Sequence, residues 1–186
     1  MQHFTVTRYT FEELSPEAQE RAITDWQNDK ARDDASWWLT PLLEDHLDEE
    51  LGSDKQDLTI YYSLSYSQGD GVALEGSLTP ETAPLLLWPT GAAHAYIKHS
   101  GHYYHERSFY LTVETDEGEE ITGDAVDVLL NQLRDVCVSL EKVGYKAIEA
   151  DLDADNVRAE IIDCTDDVFT VEGKYSVITE PQGVNA

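Results

Sequence analysis

The sequence is poor in basic residues and cysteine, and it has no long apolar run. Its 12 Lys and Arg stand against 38 Asp and Glu, which gives a formal net charge of −26. A charge of this size repels nucleic acid and anionic membrane surfaces, and it favours basic partners. A membrane-spanning helix needs about 18 or more consecutive apolar residues, which the chain lacks. We therefore expect neither direct nucleic-acid binding nor membrane insertion.

Cysteine is almost absent, and the motifs of several enzyme classes are missing. The two cysteines, Cys137 and Cys164, do not have the paired spacing of a zinc site. Without a secretory signal they are expected to be reduced thiols in a cytoplasm. There is neither a Gly-x-Ser-x-Gly nucleophile elbow nor a phosphate-binding loop ending in Gly-Lys-Ser/Thr. The prediction is a cytoplasmic protein that is not an enzyme.

The acidic residues that are present are distributed unevenly. There are 15 between Glu12 and Asp57 and 17 between Glu114 and Asp167, but only four between Leu58 and Val113. This middle segment holds nine of the 18 aromatic residues and four of the six histidines. Two acidic arms thus flank an aromatic and histidine-rich segment. Adaptation to a salty cytoplasm is an alternative explanation of the acidity.

The hydrophobic pattern predicts an α+β fold. Period-two alternation predicts strands over 4–9, 57–66, 72–77, 95–98 and 107–114, with a turn over 116–120 and a hairpin over 169–178. Helical periodicity predicts one helix starting at Pro16 after a Ser15 cap, one ending at Gly52, one starting at Asp124 and one over 154–164. We expect an antiparallel sheet of hairpins packed against N-terminal and C-terminal helices in a single domain, residues 1–178. Residues 179–186 are expected to form a flexible tail.

The second predicted helix carries the densest cluster of negative charge. Five acids occupy seven positions: Glu44, Asp45, Asp48, Glu49 and Glu50. Like charges at i, i+4 destabilise a helix, so salt, a bound cation or a partner must compensate. Carboxylates on one helix face lie roughly 5–6 Å apart, a spacing comparable to that of backbone phosphates in DNA. We expect these five residues to bind a basic partner, and a solvated acidic face is the alternative.

Two turns in the middle segment could carry chemistry. In the turn Ser67-Gln-Gly-Asp-Gly71 the two glycines allow a left-handed backbone and leave the amide groups accessible. Gln68 and Asp70 could then bind a cation or a hydroxyl group. An ordinary hairpin turn with Asp between glycines is the simpler interpretation.

The second turn is rich in histidine. If it curls, a divalent metal could be held by a set of four residues: His99, His102, His105 and Glu106. Odd spacing would place neighbouring histidines on opposite faces of a flat strand, so a metal site requires a loop or a bulge. A hairpin tip that packs its rings against the sheet is the alternative. No cofactor is expected otherwise.

Four segments, taken in order, resemble a family of small acidic proteins encoded by tailed bacteriophages and prophages. They are 11–15 (Phe-Glu-Glu-Leu-Ser), 37–38 (Trp-Trp), 66–71 (Tyr-Ser-Gln-Gly-Asp-Gly) and 100–106 (Ser-Gly-His-Tyr-Tyr-His-Glu). The resemblance runs from about Phe4 to Tyr175. It implies an accessory protein that acts in the host cytoplasm, and it implies no reaction.

These observations lead to one main functional hypothesis and two alternatives. The main one is a phage-type acidic protein that binds and inhibits or modulates a host nucleic-acid-binding or defence protein, by DNA mimicry. The first alternative is a metal-binding module or metal-dependent enzyme that uses the histidine-rich turn. The second is an antitoxin-like or protease-inhibiting protein. The sequence predicts neither the partner's identity nor the oligomeric state.

Overall fold

A computed structural model describes residues 7–164 and 168–175, and it confirms the α+β class. In chain order its elements are α1 (Pro16–Lys30), α2 (Ser36–Leu51), β1 (Asp57–Ser63), β2 (Gly71–Leu78), β3 (His94–His99), β4 (Phe109–Glu114), β5 (Glu120–Ile121), α3 (Asp124–Asp151) and α4 (Ala154–Cys164). None of these helices, within the described ranges, is long and apolar enough to cross a membrane.

The chain divides into two compact units, residues 1–34 with 148–186 and residues 35–147. The expectation of one domain over residues 1–178 stays a prediction. The expected tail, residues 179–186, lies outside the described residues, as do positions 4–6 of the first predicted strand and 176–178 of the last hairpin.

The first unit is built around a small aromatic and aliphatic core. Helix α1 starts as predicted, because the Ala18 N–H donates to Ser15 Oγ at 3.3 Å and Pro16 occupies the first turn. Its buried face joins residues of α4 and the hairpin in one cluster of eight: Phe11, Leu14, Ala18, Ala22, Ile23, Val157, Ile161 and Phe169. Phe169 pairs with Tyr9 on one side and with Tyr175 on the other.

The second unit contains the antiparallel sheet, in which each strand pairs with the next in the order β1-β2-β3-β4-β5. Strand β2 is buried throughout its first four residues, from Gly71 to Leu74. Helix α2 buries a leucine every four residues, at 39, 43, 47 and 51. The buried side of α3 consists of Leu129, Leu133, Val136, Cys137, Leu140 and Gly144. Apolar periodicity was sufficient to predict these elements.

The observed boundaries of two strands differ from the predicted ones. Strand β1 stops at Ser63, three residues before the predicted end, because residues 65–70 form a hydrogen-bonded turn. Strand β5 pairs Ile121 with Val113 and Glu120 with Glu114, although Glu120 belongs to the segment 116–120 that was predicted as a polar turn. Its acidic neighbours and its length of two residues give it no strand signal in the sequence.

Candidate functional site

Four of the five acidic residues predicted on α2 lie away from its buried leucines. Glu44, Asp45 and Glu49 are exposed and Asp48 is half-buried. At 3.6 residues per turn, positions 44 and 45 share one side of the helix with 48 and 49, because the second pair follows the first by three to five residues. We call these four residues the acidic face of α2. The fifth predicted residue does not belong to it.

Glu50 instead points to α3. It accepts a hydrogen bond from Ser139 Oγ at 2.6 Å, and His46 Nε2 lies 3.4 Å from the same carboxylate oxygen. Asp48 also has a partner within the unit, because Gln56 Nε2 donates to it at 2.9 Å. The carboxylates of Glu44, Asp45 and Glu49 are therefore those best placed to meet a partner.

The charge of α2 opposes the helix's own dipole. The C-terminal end of a helix carries a partial negative charge, which disfavours carboxylates there by about 0.3–1 kcal/mol each. The last turn of α2 contains Asp48, Glu49 and Glu50 and no basic residue, and Gly52 ends the helix with φ +76°. This local cost is the kind that a cationic partner would relieve.

Trp37, which was not predicted as a site residue, is 79% exposed on the same helix. It precedes Glu44 by seven residues, about two helical turns, so both lie on one side of α2. Its neighbour Trp38 is half-buried. In a Trp-Trp pair on a helix the two side chains point about 100° apart, so the pair itself indicates that one ring lies away from the core. A large exposed ring beside an acidic face is a typical interface anchor.

The carboxylate of Asp70 lies among serines at the start of β2. It accepts hydrogen bonds from Ser63 Oγ at 2.6 Å and from the backbone N–H groups of Ser65 and Ser67, each at 2.7 Å. Partial burial disfavours its ionised form, but these hydrogen bonds outweigh burial and lower the pKa of Asp70. Gln68 is exposed on the turn. The geometry of Asp70 is that of a turn fixed by its own side chain, which agrees with the simpler interpretation.

The structure brings the two polar turns together, which the sequence did not predict. Gly69 lies under the ring of Tyr103, so a Cβ added there would come within 2.4 Å of Tyr103 Cδ1. A Cβ at Gly71 would lie 2.8 Å from the carbonyl oxygen of Tyr104. Both glycines also have positive φ, +91° and +143°. They are required for close approach of the second turn.

The histidines of the second turn contact aromatic and backbone groups. His99 stacks on Tyr61 with centroids 4.9 Å apart, and its Nε2 is 3.0 Å from the carbonyl oxygen of Tyr103. His102 packs edge-on against Tyr103 at 4.8 Å. His105 Nδ1 accepts the N–H of Arg107 at 3.1 Å.

The four predicted metal ligands, His99, His102, His105 and Glu106, are not brought together into a metal site. Throughout residues 7–164 and 168–175, no group of three or more His, Cys, Asp or Glu is arranged to hold a metal ion. His99 packs on Tyr61 of β1, whereas His102 and His105 lie beside Tyr103 of the turn itself.

Glu141 of α3 faces the same turns. Burial, followed by the negative charges of Glu106 and Asp70, raises the pKa of Glu141, while His105 acts in the opposite direction. Burial, with Glu106 and Glu141 adding to it, raises the pKa of Cys137 to about 12. Burial and the nearby carboxylates thus disfavour the thiolate of Cys137, so this region does not activate a cysteine nucleophile.

Comparison with known proteins gave no match to a family model, to a curated protein or to a solved structure.

Proposed function

We propose that this protein is a phage-type acidic interaction protein that acts in the host cytoplasm. It binds a basic surface of a host nucleic-acid-binding or defence protein and inhibits or modulates it by occupying the site of DNA. The observation that carries the proposal is the acidic face of α2, where Glu44, Asp45 and Glu49 are exposed on a helix without Lys or Arg. The resemblance of the sequence to small acidic phage proteins supports the same function.

The physical basis of binding is electrostatic attraction anchored by one aromatic ring. Carboxylates three and four residues apart form an array with phosphate-like spacing on a rigid helix. A cationic groove is steered towards such an array, and its association rate depends on ionic strength. Trp37 supplies the apolar contact that an array of charges lacks.

The first experiment is capture of partners from host lysate with the tagged protein. We expect a basic, nucleic-acid-binding protein that duplex DNA displaces. Raising NaCl from about 50 to about 200 mM should weaken its binding severalfold or more. Capture of no such protein contradicts the proposal. A single stoichiometric partner that duplex DNA leaves bound would instead indicate the antitoxin-like or protease-inhibiting alternative.

A variant pair assigns the binding to α2. The variant E44Q/D45N/E49Q removes three charges whose side chains are exposed, and it spares Asp48 and Glu50, which have internal hydrogen bonds. The control D116N/E117Q/E119Q removes three charges from the exposed turn between β4 and β5. We expect the first variant to lose the partner and the control to keep it.

Trp37→Ala tests the aromatic contact separately. Because the ring is 79% exposed, its removal should change the stability by less than about 0.5 kcal/mol. Affinity for the captured partner should fall about tenfold, as for an interface anchor. Unchanged affinity would remove Trp37 from the proposed interface.

A further inference from the structure

A cavity of about 260 Å³ in the first unit has aromatic walls. Trp26 and Tyr175 line it with rings perpendicular to each other and centroids 5.6 Å apart. Phe169 also lines it, 5.9 Å from the Tyr175 ring. The faces of such rings attract cations, and their surfaces pack against methylene chains.

The other lining residues are mainly acidic. Asp25, Asp29 and Asp33 recur every four residues, which spaces them by about 6 Å along the helix axis. Asp33 follows the end of α1 but keeps its direction, because its N–H donates to the Asp29 carbonyl at 3.2 Å. Glu160 is the fourth carboxylate, and among the described lining residues Lys30 is the one cation. The cavity therefore selects against anions.

The contacts of Lys30 show how carboxylates at the edge of the cavity hold an alkylammonium group. Its Nζ lies 2.7 Å from Asp151 and 2.5 Å from Glu160, and Trp26 Nε1 is 3.4 Å from the other oxygen of Glu160. Burial disfavours the charged amine, but the bonds to Asp151 and Glu160 outweigh it and raise the pKa of Lys30. Asp25, Asp29 and Asp33 form a separate row on the rim of the cavity, where the exposed guanidinium of Arg32 lies 3.8 Å from Asp29.

We propose that this cavity binds a linear alkylammonium chain, with its methylene groups against Trp26 and Tyr175 and an ammonium group at Asp25 or Asp29, or at both when the ligand is a diamine. Four methylene groups separate two ammonium groups by about one interval of the aspartate row. Among the described residues of the chain, no group of three or more His, Cys, Asp or Glu is arranged to hold a metal ion, and the aspartate row is no exception. The ligand is either a free polyamine or the lysine side chain of a protein. The inference is independent of the function proposed for α2.

Binding is measured on the full chain in 150 mM NaCl with four probes. They are spermidine, putrescine, Nα-acetyl-lysine methylamide and, as a neutral control, 1,4-butanediol. The signal followed is the NMR resonance of the Trp26 indole N–H, which is assigned by its loss in Trp26→Phe. It reports ligand binding in the cavity that Trp26 lines. We expect both polyamines to shift it saturably, spermidine at the lower concentration, and butanediol to leave it in place. If acetyl-lysine methylamide binds more tightly than putrescine, the source is a protein lysine, and the reverse order identifies a free polyamine.

Matched variants separate this site from general attraction to an acidic protein. D25N/D29N changes exposed side chains, so the fold should be retained, and we expect at least fivefold weaker binding of putrescine. E20Q/D163N removes the same charge from exposed positions that do not line the cavity, and affinity should stay within twofold. Equal weakening by both variants overturns the proposal, as does an equal indole shift with MgCl₂ or no shift with any amine.

Discussion

If the acidic face of α2 serves a partner, the isolated protein bears a stability cost that a single substitution can remove. Glu49→Gln tests this cost, since the side chain is 80% exposed and makes no hydrogen bond that the structure needs. The imidazole Nδ1 of His46 lies 3.6 Å from its carboxylate, beyond hydrogen-bond range. Glutamine keeps the shape and the helix propensity of glutamate. The substitution therefore changes charge alone.

The expected increase in the free energy of unfolding has two contributions. Glu49 repels Asp45 at i, i+4, which is worth about 0.2–0.5 kcal/mol. Its charge at the C-terminal end of α2 opposes the helix dipole by about 0.3–1 kcal/mol. The free energy of unfolding should therefore rise by about 0.5–1.5 kcal/mol at low salt. For a chain of 186 residues this corresponds to about 1–6 °C in Tm.

Thermal unfolding followed by circular dichroism in about 20 mM and about 1 M NaCl measures this gain. We expect Glu49→Gln to melt above the wild type at low salt and nearly with it at high salt, since 1 M salt screens exposed charges beyond about 3 Å. Glu117→Gln, on the exposed turn before β5, should shift Tm much less. A Tm that falls, or a gain that salt does not reduce, would refute the claim that charge on α2 is a stability cost.

Three further predictions concern the second unit and the thiols. Asp70→Asn should lower the unfolding free energy by about 1–3 kcal/mol at pH 7. Because folding lowers the Asp70 pKa, this stability is present above the unfolded value of about 3.9 and is lost as pH falls through the lower pKa of the folded protein. The urea midpoints of the two proteins should therefore approach each other as the pH falls below about 3.9. Gly76→Ala should lower the free energy of unfolding, measured with urea, by about 2–4 kcal/mol. The reason is that φ of Gly76 is +141° and the added Cβ would lie 2.0 Å from a backbone oxygen of β1. At pH 8 a thiol reagent should quickly label the exposed Cys164. Cys137 should react only on unfolding, because it is buried and its pKa is raised to about 12. Mass spectrometry shows which cysteine carries the label.

The elements with strong local signals were predictable. Ser15 and Pro16 mark the start of α1, and the observed cap is the one that the sequence indicates. Leucines every four residues in α2 indicate which side is buried, and hence that Glu44 and Asp45 are exposed. These features depend on neighbours within two helical turns, which the sequence shows directly.

The contacts between distant segments were not predictable from one sequence. Tyr103 covers Gly69 although 34 positions separate them in the chain. The two glycines beside Asp70 indicated an unusual backbone, but nothing local indicated which residue would lie on it. Helical spacing places Glu50 on the side of the buried leucines, but it does not reveal that Ser139 lies across from it. The histidines could have met in a loop, and tyrosine rings occupy their surroundings instead.

The most direct test of the central claim is the affinity of the captured partner for the wild type and for E44Q/D45N/E49Q, measured by calorimetry at about 50 mM NaCl. We predict a Kd at least tenfold higher for this variant and within twofold of the wild type for D116N/E117Q/E119Q. Duplex DNA should compete with the wild type for the same site. Equal affinity of all three proteins, or a partner that binds the wild type and duplex DNA simultaneously, would contradict the account.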